Sequence, residues 1–564
     1  MDSVKNMLAL AVSGALGGAV TADEVLSVIE VPADTKNGDL AMPCFRFSRV
    51  LRKAPPVIAA ELKAAIDGSL AEVKEINAVD GYLNFFLSPS FYVDVLKRIA
   101  ADEGFGSSDI GKGKTVCLDF SSPNIAKRFH VGHLGTTAIG GFLKNLHDFC
   151  GFTTVGINHL GDWGTQFGKL IVAFKKWSSP ERVDERGISE LVDIYVRFSA
   201  EAEKDPSLND EARAAFTEME RGNEEYLAIW RGFKEISLRE YMKTYELLGV
   251  TFDSYNGESF YNDKMDAVVD ELRDKGLLVI DDGASIVRLD DYNMPPAIIL
   301  KKDGSTLYAT RDIAAAIWRK NNYDFYKCIY VTSAGQSLHF AQYFKVLELM
   351  GYDWAADMVH VPYGTMSVNG EKLASRTGNV ILLDDLFAEA IAKVEKIMEE
   401  KNSDLADRRA VAEAVGVGAI VFNALANNRI KDSNFVWEEA LSFDGNTGPY
   451  VQYTYARTAS ILRKAEPDGA GYDGYVPEKD ETALVTTLAA FPAKVLSALA
   501  DYEPCIIARY ALDVCAAYNV FYHNRTILKA EGEAKAFRLA LTGAVKHVLG
   551  KCLDLLGMKR TEEI

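Results

Sequence analysis

Thr115-Val116-Cys117-Leu118-Asp119-Phe120 reads as a buried strand, and the apolar run from Phe152 to Leu160 reads as another. Between them a polar loop, 121 to 129, leads into Leu134, Ala138, Phe142 and Leu146 at helical spacing. Ile139 and Leu143 widen that stripe, and Gly151 offers a stop. Strand, helix and strand in this order require a crossover, so the two strands are expected to pair in parallel. The pattern resumes at Lys327-Cys328-Ile329-Tyr330-Val331-Thr332, with a turn at 333 to 337 and a further helix face through Phe340, Phe344 and Leu347. The stretch from about 178 to 290 is charged and helical in pattern, which marks it as an insertion into the sheet.

A chain of 564 residues exceeds what one core usually covers, so several domains are expected. Residues 1–110 read as a small α/β unit, closing on a strand, 82 to 87, entered through the tight turn Asp80-Gly81. A Gly/Ser/Lys-rich junction at 104 to 114 opens the sheet-bearing region, 111–404. Residues 405–564 are almost wholly helical in pattern, broken at 445 to 449 and 466 to 477. The fold class is therefore α/β: a parallel sheet with a helical insertion, a small α/β N-terminal domain and a helical C-terminal domain.

The hydrophobic share of 48% and charged share of 25% are those of ordinary globular proteins. The apolar run from Met7 to Val20 is preceded by Asp2 and interrupted by glycines, unlike a secretory signal, and no uninterrupted apolar run suits a membrane span. A soluble, cytoplasmic protein is expected. The seven cysteines are never closer than ten residues, so reduced, buried thiols are expected, with neither disulfide framework nor metal site. A net charge of −18 excludes nucleic-acid binding by bulk electrostatics. The charge is uneven, −5 over 1–110, −11 over the middle and −2 over 405–564, so a nucleic acid would be read through local patches, best sought in the last segment.

His130-Val131-Gly132-His133 sits where a strand ends and a helix begins, the usual ligand position in an open α/β sheet. Free N–H groups and the helix dipole favour phosphate there, two imidazoles one turn apart can donate to phosphate oxygens, and Gly132 leaves room for a flat purine. Chance supplies roughly 0.01 His-x-Gly-His matches in a chain of this composition. Other nucleotide motifs fail: Ser108 stands where a P-loop needs its first glycine, and no Gly-x-Gly-x-x-Gly opens a helix. A cationic loop, Lys372-Leu373-Ala374-Ser375-Arg376-Thr377-Gly378-Asn379, is a second candidate.

These two segments resemble the paired signatures of class I aminoacyl-tRNA synthetases. Four flanks narrow the resemblance: Ser122 to Lys127, Gly161-Asp162-Trp163-Gly164-Thr165-Gln166-Phe167-Gly168, Tyr308-Ala309-Thr310-Arg311-Asp312, and Asn446-Thr447-Gly448-Pro449-Tyr450-Val451-Gln452-Tyr453. Together they are similar to arginyl-tRNA synthetases, from about residue 35 to about 555. The resemblance implies a Rossmann-type catalytic domain, an N-terminal domain touching the tRNA elbow and a helical anticodon-binding domain. It implies a monomer with L-arginine, tRNA(Arg) and ATP with Mg²⁺ as partners, and ligation through an arginyl-adenylate.

Carried over by position, the resemblance puts ATP against Gly132, with its phosphates near His130, His133, Lys372, Ser375 and Arg376. Asp312, with Tyr308 one turn before it, matches the position that receives a guanidinium, and Asp119 is a second acidic contact. Asn124 and Gln336 would hold the amino-acid head group. Asp312 could instead pair with Arg311 or Arg319, and Tyr308 could be core. Tyr82 and Asn84 match positions that read a D-loop base, and Tyr453, Arg457 and Tyr522 match positions near the anticodon. Ser375 stands where many class I enzymes carry a second loop lysine. Lys127, three residues before His130, is expected to supply that cation, with Arg128 as its rival. Another class I synthetase and a catalytically inactive tRNA-binding relative are the competing readings.

Overall fold

The computed structural model describes residues 2–32, 34–306, 308–372, 381–401, 407–466 and 469–564. By internal contacts the chain forms two compact units. One comprises 1–106, 454–494 and 510–550; the other comprises 107–453, 495–509 and 551–564.

The second unit is built on a four-stranded parallel sheet of Thr115–Asp119, Thr153–Ile157, Lys327–Ser333 and Met358–Tyr363. Thr115–Asp119 lies between Thr153–Ile157 and Lys327–Ser333, with Met358–Tyr363 outermost. The chain thus leaves its first strand on one side and returns on the other, which opens a crevice beyond Asp119 and Ser333. Every residue of the expected helical stripe, Leu134, Ala138, Ile139, Phe142, Leu143 and Leu146, is buried, and the α-helix spans Leu134–Phe149. Gly151 follows at φ +81°, a left-handed stop that glycine adopts without strain.

The insertion is larger than its charge pattern indicated. Helices Thr165–Trp177, Pro180–Arg186, Ile188–Lys204, Ser207–Glu220, Glu224–Leu248 and Met265–Asp274 precede an antiparallel sheet of Leu278–Asp281, Ala284–Val287 and Ala297–Leu300. The helical expectation to residue 290 is therefore corrected from 278 onward. The cause is a two-residue hairpin: Asp281 pairs with Ala284 across Asp282-Gly283, at φ 45° and 80°, the positive pair a type I′ turn needs.

The same device shapes the first unit. Val79 pairs with Tyr82 across Asp80-Gly81, at φ 50° and 85°, joining Val73–Val79 to Tyr82–Leu87 in a three-stranded antiparallel sheet completed by Leu40–Pro43. Helices Gly448–Lys464, Lys479–Ala489, Phe491–Asp501, Cys505–Asn524 and Gly532–Leu555 make up most of the chain's end. Among the described residues beyond 405 there is one short strand, Ser433–Phe435, which pairs in parallel with Met366–Val368. Lys479–Asp501 is the one stretch among the described residues long and apolar enough to cross a membrane. It is two helices, however, and its Leu484, Leu488, Phe491 and Val495 are wholly covered by protein, so it serves as core. All seven cysteines are free and buried.

Gly140 fixes the distance between sheet and crossover helix, because a Cβ there would lie 2.1 Å from the Phe120 ring. Phe120 is buried and has nowhere to move. Gly140→Ala should therefore destabilise the protein by about 1–3 kcal/mol despite alanine's better helix propensity. Urea unfolding would show this, and an unchanged midpoint would refute the close approach.

Candidate active site

The helix proper starts one residue after His133, and Val131–His133 forms a 3-10 turn ahead of it. The two imidazoles cause this. His130 Nδ1 accepts the Gly132 N–H at 3.1 Å, and His133 Nδ1 accepts the His130 N–H at 3.1 Å. With both Nδ1 atoms accepting, each neutral ring carries its proton on Nε2 and has that donor to offer a ligand. The rings lie 3.9 Å apart, and Phe129 stacks on His133 at 4.8 Å.

Burial, then the neighbouring His130, lowers His133 to about 3; burial and the Lys127 charge lower His130. Both are neutral donors near pH 7. Lys127 itself is exposed, and its backbone carbonyl accepts the Tyr241 hydroxyl at 2.6 Å. The exposed Arg128 donates to Ser189 Oγ at 2.6 Å.

Backbone bonds fix this segment in space. Val131 N–H donates to Ile381 O at 3.1 Å, and Leu383 N–H to Phe129 O at 3.0 Å. The segment Ile381 to Leu383, which follows the cationic loop, is thus stitched to the histidine turn. Within the loop, Lys372 pairs in the strand Glu371–Lys372 with Ser367, while Ser375 and Arg376 lie outside the described residues.

A cavity of about 800 Å³ opens beside the turn, lined by His130, Gly132, Gly135, Tyr363, Asn427 and Arg429, among others. A Cβ on Gly135 would come within 3.0 Å of the Tyr363 ring, and one on Gly132 within 2.8 Å of the His130 ring. Glycine keeps this floor flat. Tyr363, Asn427 and Arg429 carried no local sequence signal, because they come from a distant strand and a distant loop.

The crevice beyond the first strand holds the acidic residues. Asp119 Oδ2 is 2.8 Å from Arg319 Nη2, and Asp119 Oδ1 accepts the Ser122 hydroxyl at 2.8 Å. Arg319 therefore pairs with Asp119, not with Asp312. Asp312 Oδ2 lies 2.6 Å from His339 Nε2, a partner the sequence did not suggest, and Arg311 faces Glu258 at 3.5 Å. Glu258 is the carboxylate that sequence reasoning missed. Burial, together with Asp312 and Asp162 and against Arg311, pushes it up to about 7. Glu258 thus lies between a cation, Arg311, and a second carboxylate, Asp312, at the buried side of the crevice.

Tyr308 opens the helix Tyr308–Tyr323 and is 67% exposed, so it is not core. Asn124 and Gln336 are exposed near the ends of the first and third strands. Elsewhere, Tyr82 is exposed and packs edge to face on Phe45 at 5.4 Å. Asn84, expected to read a base beside it, shares the face of Tyr82 by strand alternation but is only 5% exposed. Tyr453 is half-buried against Phe443. Arg457 donates to Asn519 at 2.8 Å and lies 5.1 Å over the exposed Tyr522 ring.

A parallel sheet with a switch point, a paired-histidine turn at its edge and a second signature loop stitched to that turn together define a class I synthetase-type nucleotide-binding unit. The comparisons agree. Residues 95–437 match the family described as tRNA synthetases class I (R), catalytic domain; 2–87 match the arginyl tRNA synthetase N terminal domain; 451–564 match the DALR anticodon binding domain. The chain is 49% identical over 545 residues to an arginine–tRNA ligase of Alkaliphilus metalliredigens, covering 96% of each. It is 49% identical over 546 residues to one of Clostridium botulinum, covering 96% of this chain and 97% of that one. The structure superposes on Thermus thermophilus arginyl-tRNA synthetase with a TM-score of 0.82 at 25% identity, covering 99% and 100% of the two chains. This chain belongs to the arginyl-tRNA synthetase family and is an enzyme that ligates arginine to tRNA.

The depressed value of His133 has a measurable consequence. Its side-chain NMR signal should not titrate between pH 8 and pH 5, whereas an ordinary histidine titrates near 6.5. Unfolding exposes it, so the unfolded chain binds the extra proton below about 6.5. The stabilisation from this neutral imidazole is therefore present above that pH and lost as pH falls toward about 3. A midpoint near 6.5 would contradict the buried, backbone-bonded geometry.

Proposed function

We propose that Asp312 is the group that selects arginine. The supporting observation is its openness: it is bonded through one oxygen to an imidazole and is 30% exposed, whereas Asp119 is held on both oxygens. A guanidinium fork donates two parallel bonds to one carboxylate, and an ammonium cannot. Glu258 adds charge from the buried side and Tyr308 covers the fork's face. Asn124 and Gln336 hold the head group, and Asp119 is a further acidic contact.

ATP lies with its purine over Gly132 in the cavity, and the Nε2 protons of His130 and His133 face its phosphates. The arginine carboxylate attacks the α-phosphorus, the bond to pyrophosphate breaks, and the two imidazoles stabilise the growing negative charge without transferring a proton. Lys372, Ser375 and Arg376 act from the second signature loop, and Lys127 supplies a cation in place of the loop lysine that Ser375 replaces. Among the described residues no cluster of three or more His, Cys, Asp or Glu is placed to hold a metal. Mg²⁺ is assigned to the nucleotide's own phosphates, and no step here runs through it.

In this reading residues 1–110 meet the tRNA elbow through Tyr82, 111–404 carry the chemistry, and 405–564 meet the anticodon through Tyr453, Arg457 and Tyr522. Base stacking on exposed tyrosine suits such contacts. The protein works as a cytoplasmic monomer without membrane attachment, which sedimentation at 62.1 kDa would check.

Asp312→Asn should cut kcat/KM for arginine by about 10²-fold or more while lysine stays poor, because the fork loses its charged acceptor. A variant that still charges tRNA with arginine at the parent rate would sink the assignment. His133→Ala should slow turnover by about 10²- to 10³-fold with arginine affinity nearly unchanged. For Lys127, the alanine variant should slow adenylate formation while tRNA binding holds, and Ser375→Lys in that background should restore part of the rate. Loss of tRNA binding alone, or no rescue, would transfer the role to Lys372, Arg376 or Arg128.

A further inference from the structure

Among the described residues the largest fully buried side chain is a cation beside the amino-acid crevice. Arg319 is 1% exposed and lies seven residues after Asp312 on the helix Tyr308–Tyr323, two turns along the same face. Its Nη2 is 2.8 Å from Asp119 Oδ2 and 3.3 Å from His159 Nδ1, and its guanidinium sits 5.4 Å from the Tyr330 ring centroid. The other Asp119 oxygen is held by Ser122, whose hydroxyl oxygen also accepts the His159 N–H at 3.0 Å. Ser121 and Ser122 take left-handed φ values of 68° and 47°, a local cost borne where the strand ends.

This arrangement has an electrostatic consequence. A pocket that must accept a guanidinium needs negative charge, and every buried carboxylate without a cation is costly. Asp119 has its cation built in. Both of its oxygens are taken in the free protein, so it cannot give a substrate fork two parallel bonds, although each oxygen keeps a lone pair for a single donor. Asp312 has no such resident guanidinium.

We propose that Arg319 is a positioning residue for arginine binding: an internal guanidinium that holds Asp119 in one rotamer, so that the substrate's fork is directed to Asp312. The inference rests on the reading of Asp312 as selector and assigns the second carboxylate a different task. Arg319 touches no substrate. It acts through Asp119, keeping the head-group side of the crevice fixed and charge-balanced.

The test is tRNA aminoacylation kinetics on the full-length enzyme with Arg319→Met, Arg319→Lys, Asp119→Asn and the double variant Asp119→Asn/Arg319→Met. Arg319→Met should raise KM for arginine by about 10- to 100-fold, the range expected when one partner of a buried pair is removed, with KM for ATP within about twofold of the parent. Arg319→Lys keeps the charge without the fork and should recover part of that loss. The preference for arginine over lysine should survive in all of them.

The double variant isolates the route of action. Because Arg319 acts only through Asp119, Arg319→Met should add less than about twofold to the arginine KM of Asp119→Asn. A core ion pair without a positioning role would instead impair ATP and arginine use alike, and Arg319→Met would add its full effect in the Asp119→Asn background; either result overturns the proposal. If Arg319→Met alone shows no cooperative melt, the double variant, with neither buried charge, is compared with Asp119→Asn and the same twofold limit decides. Collapse of arginine-over-lysine preference in Arg319→Met would also overturn it. Full retention of arginine use by Asp312→Asn would refute the selector instead, so the two failures are distinguishable.

Discussion

The hydrogen bonds from backbone N–H groups to the two Nδ1 atoms of His130 and His133 are the constraint on which the site depends. They settle the tautomer of both rings, and through it the direction in which each can donate. They also shape the chain: the turn is held as a 3-10 segment, so the α-helix begins only at Leu134 and the first helical residues are spent on geometry rather than on packing. A lysine at either position would carry a charge, but it could not accept from its own backbone and so could not fold the turn that aims it. Burial then keeps both imidazoles neutral, so each offers an Nε2–H donor without a buried charge.

What the sequence disclosed about the fold was what repeats locally. The parallel sheet, its crossover helix and the resumption at Lys327 were legible because apolar period and length agree over whole elements, although the second strand ends at Ile157, three residues before Leu160. The three-stranded sheet inside the insertion was missed although its signal was present. Asp282-Gly283 between Ile280 and Ile286 is the same turn chemistry as Asp80-Gly81, which was recognised. The difference lies in the flanks. Tyr82 to Leu87 is rich in aromatics, whereas Leu278 to Asp281 is short, mostly exposed and set among acidic residues, so helical charge spacing masked it.

The site divides in the same way. Residues that share a short segment with a motif, such as His130, Gly132 and His133, could be named because spacing and chemistry coincide. The partners could not. Arg319 meets Asp119 across two hundred residues of sequence, and His339 meets Asp312 from the next helix. Glu258 reaches the crevice only because the insertion folds back on the sheet, where its serine neighbour's N–H bonds Asp162 Oδ1 at 2.8 Å. A single sequence carries no term for such pairings; they are set by how the elements pack. Asn84 shows the converse: alternation put it on the same face as Tyr82, but not that the protein would cover one and leave the other open.

The acidity of the chain, an objection to a tRNA partner when taken as a whole, fits the reaction once it is placed. Most of the −18 belongs to the middle of the chain, which contains the arginine crevice, and the last segment carries only −2. In the proposed reading a cationic amino acid is drawn to Asp312, which is bonded through one oxygen to His339, while Asp119 is balanced by Arg319 and Glu258 faces Arg311. At physiological salt the screening length is about 8 Å, so a carboxylate exerts little force on a polyanion held well beyond that distance. In the proposed reading polyanion binding is decided by local groups of another kind, such as the Arg457 guanidinium over Tyr522 or the exposed Tyr82 ring, where stacking replaces bulk charge. Selectivity for a cation and affinity for a polyanion make opposite demands on a surface.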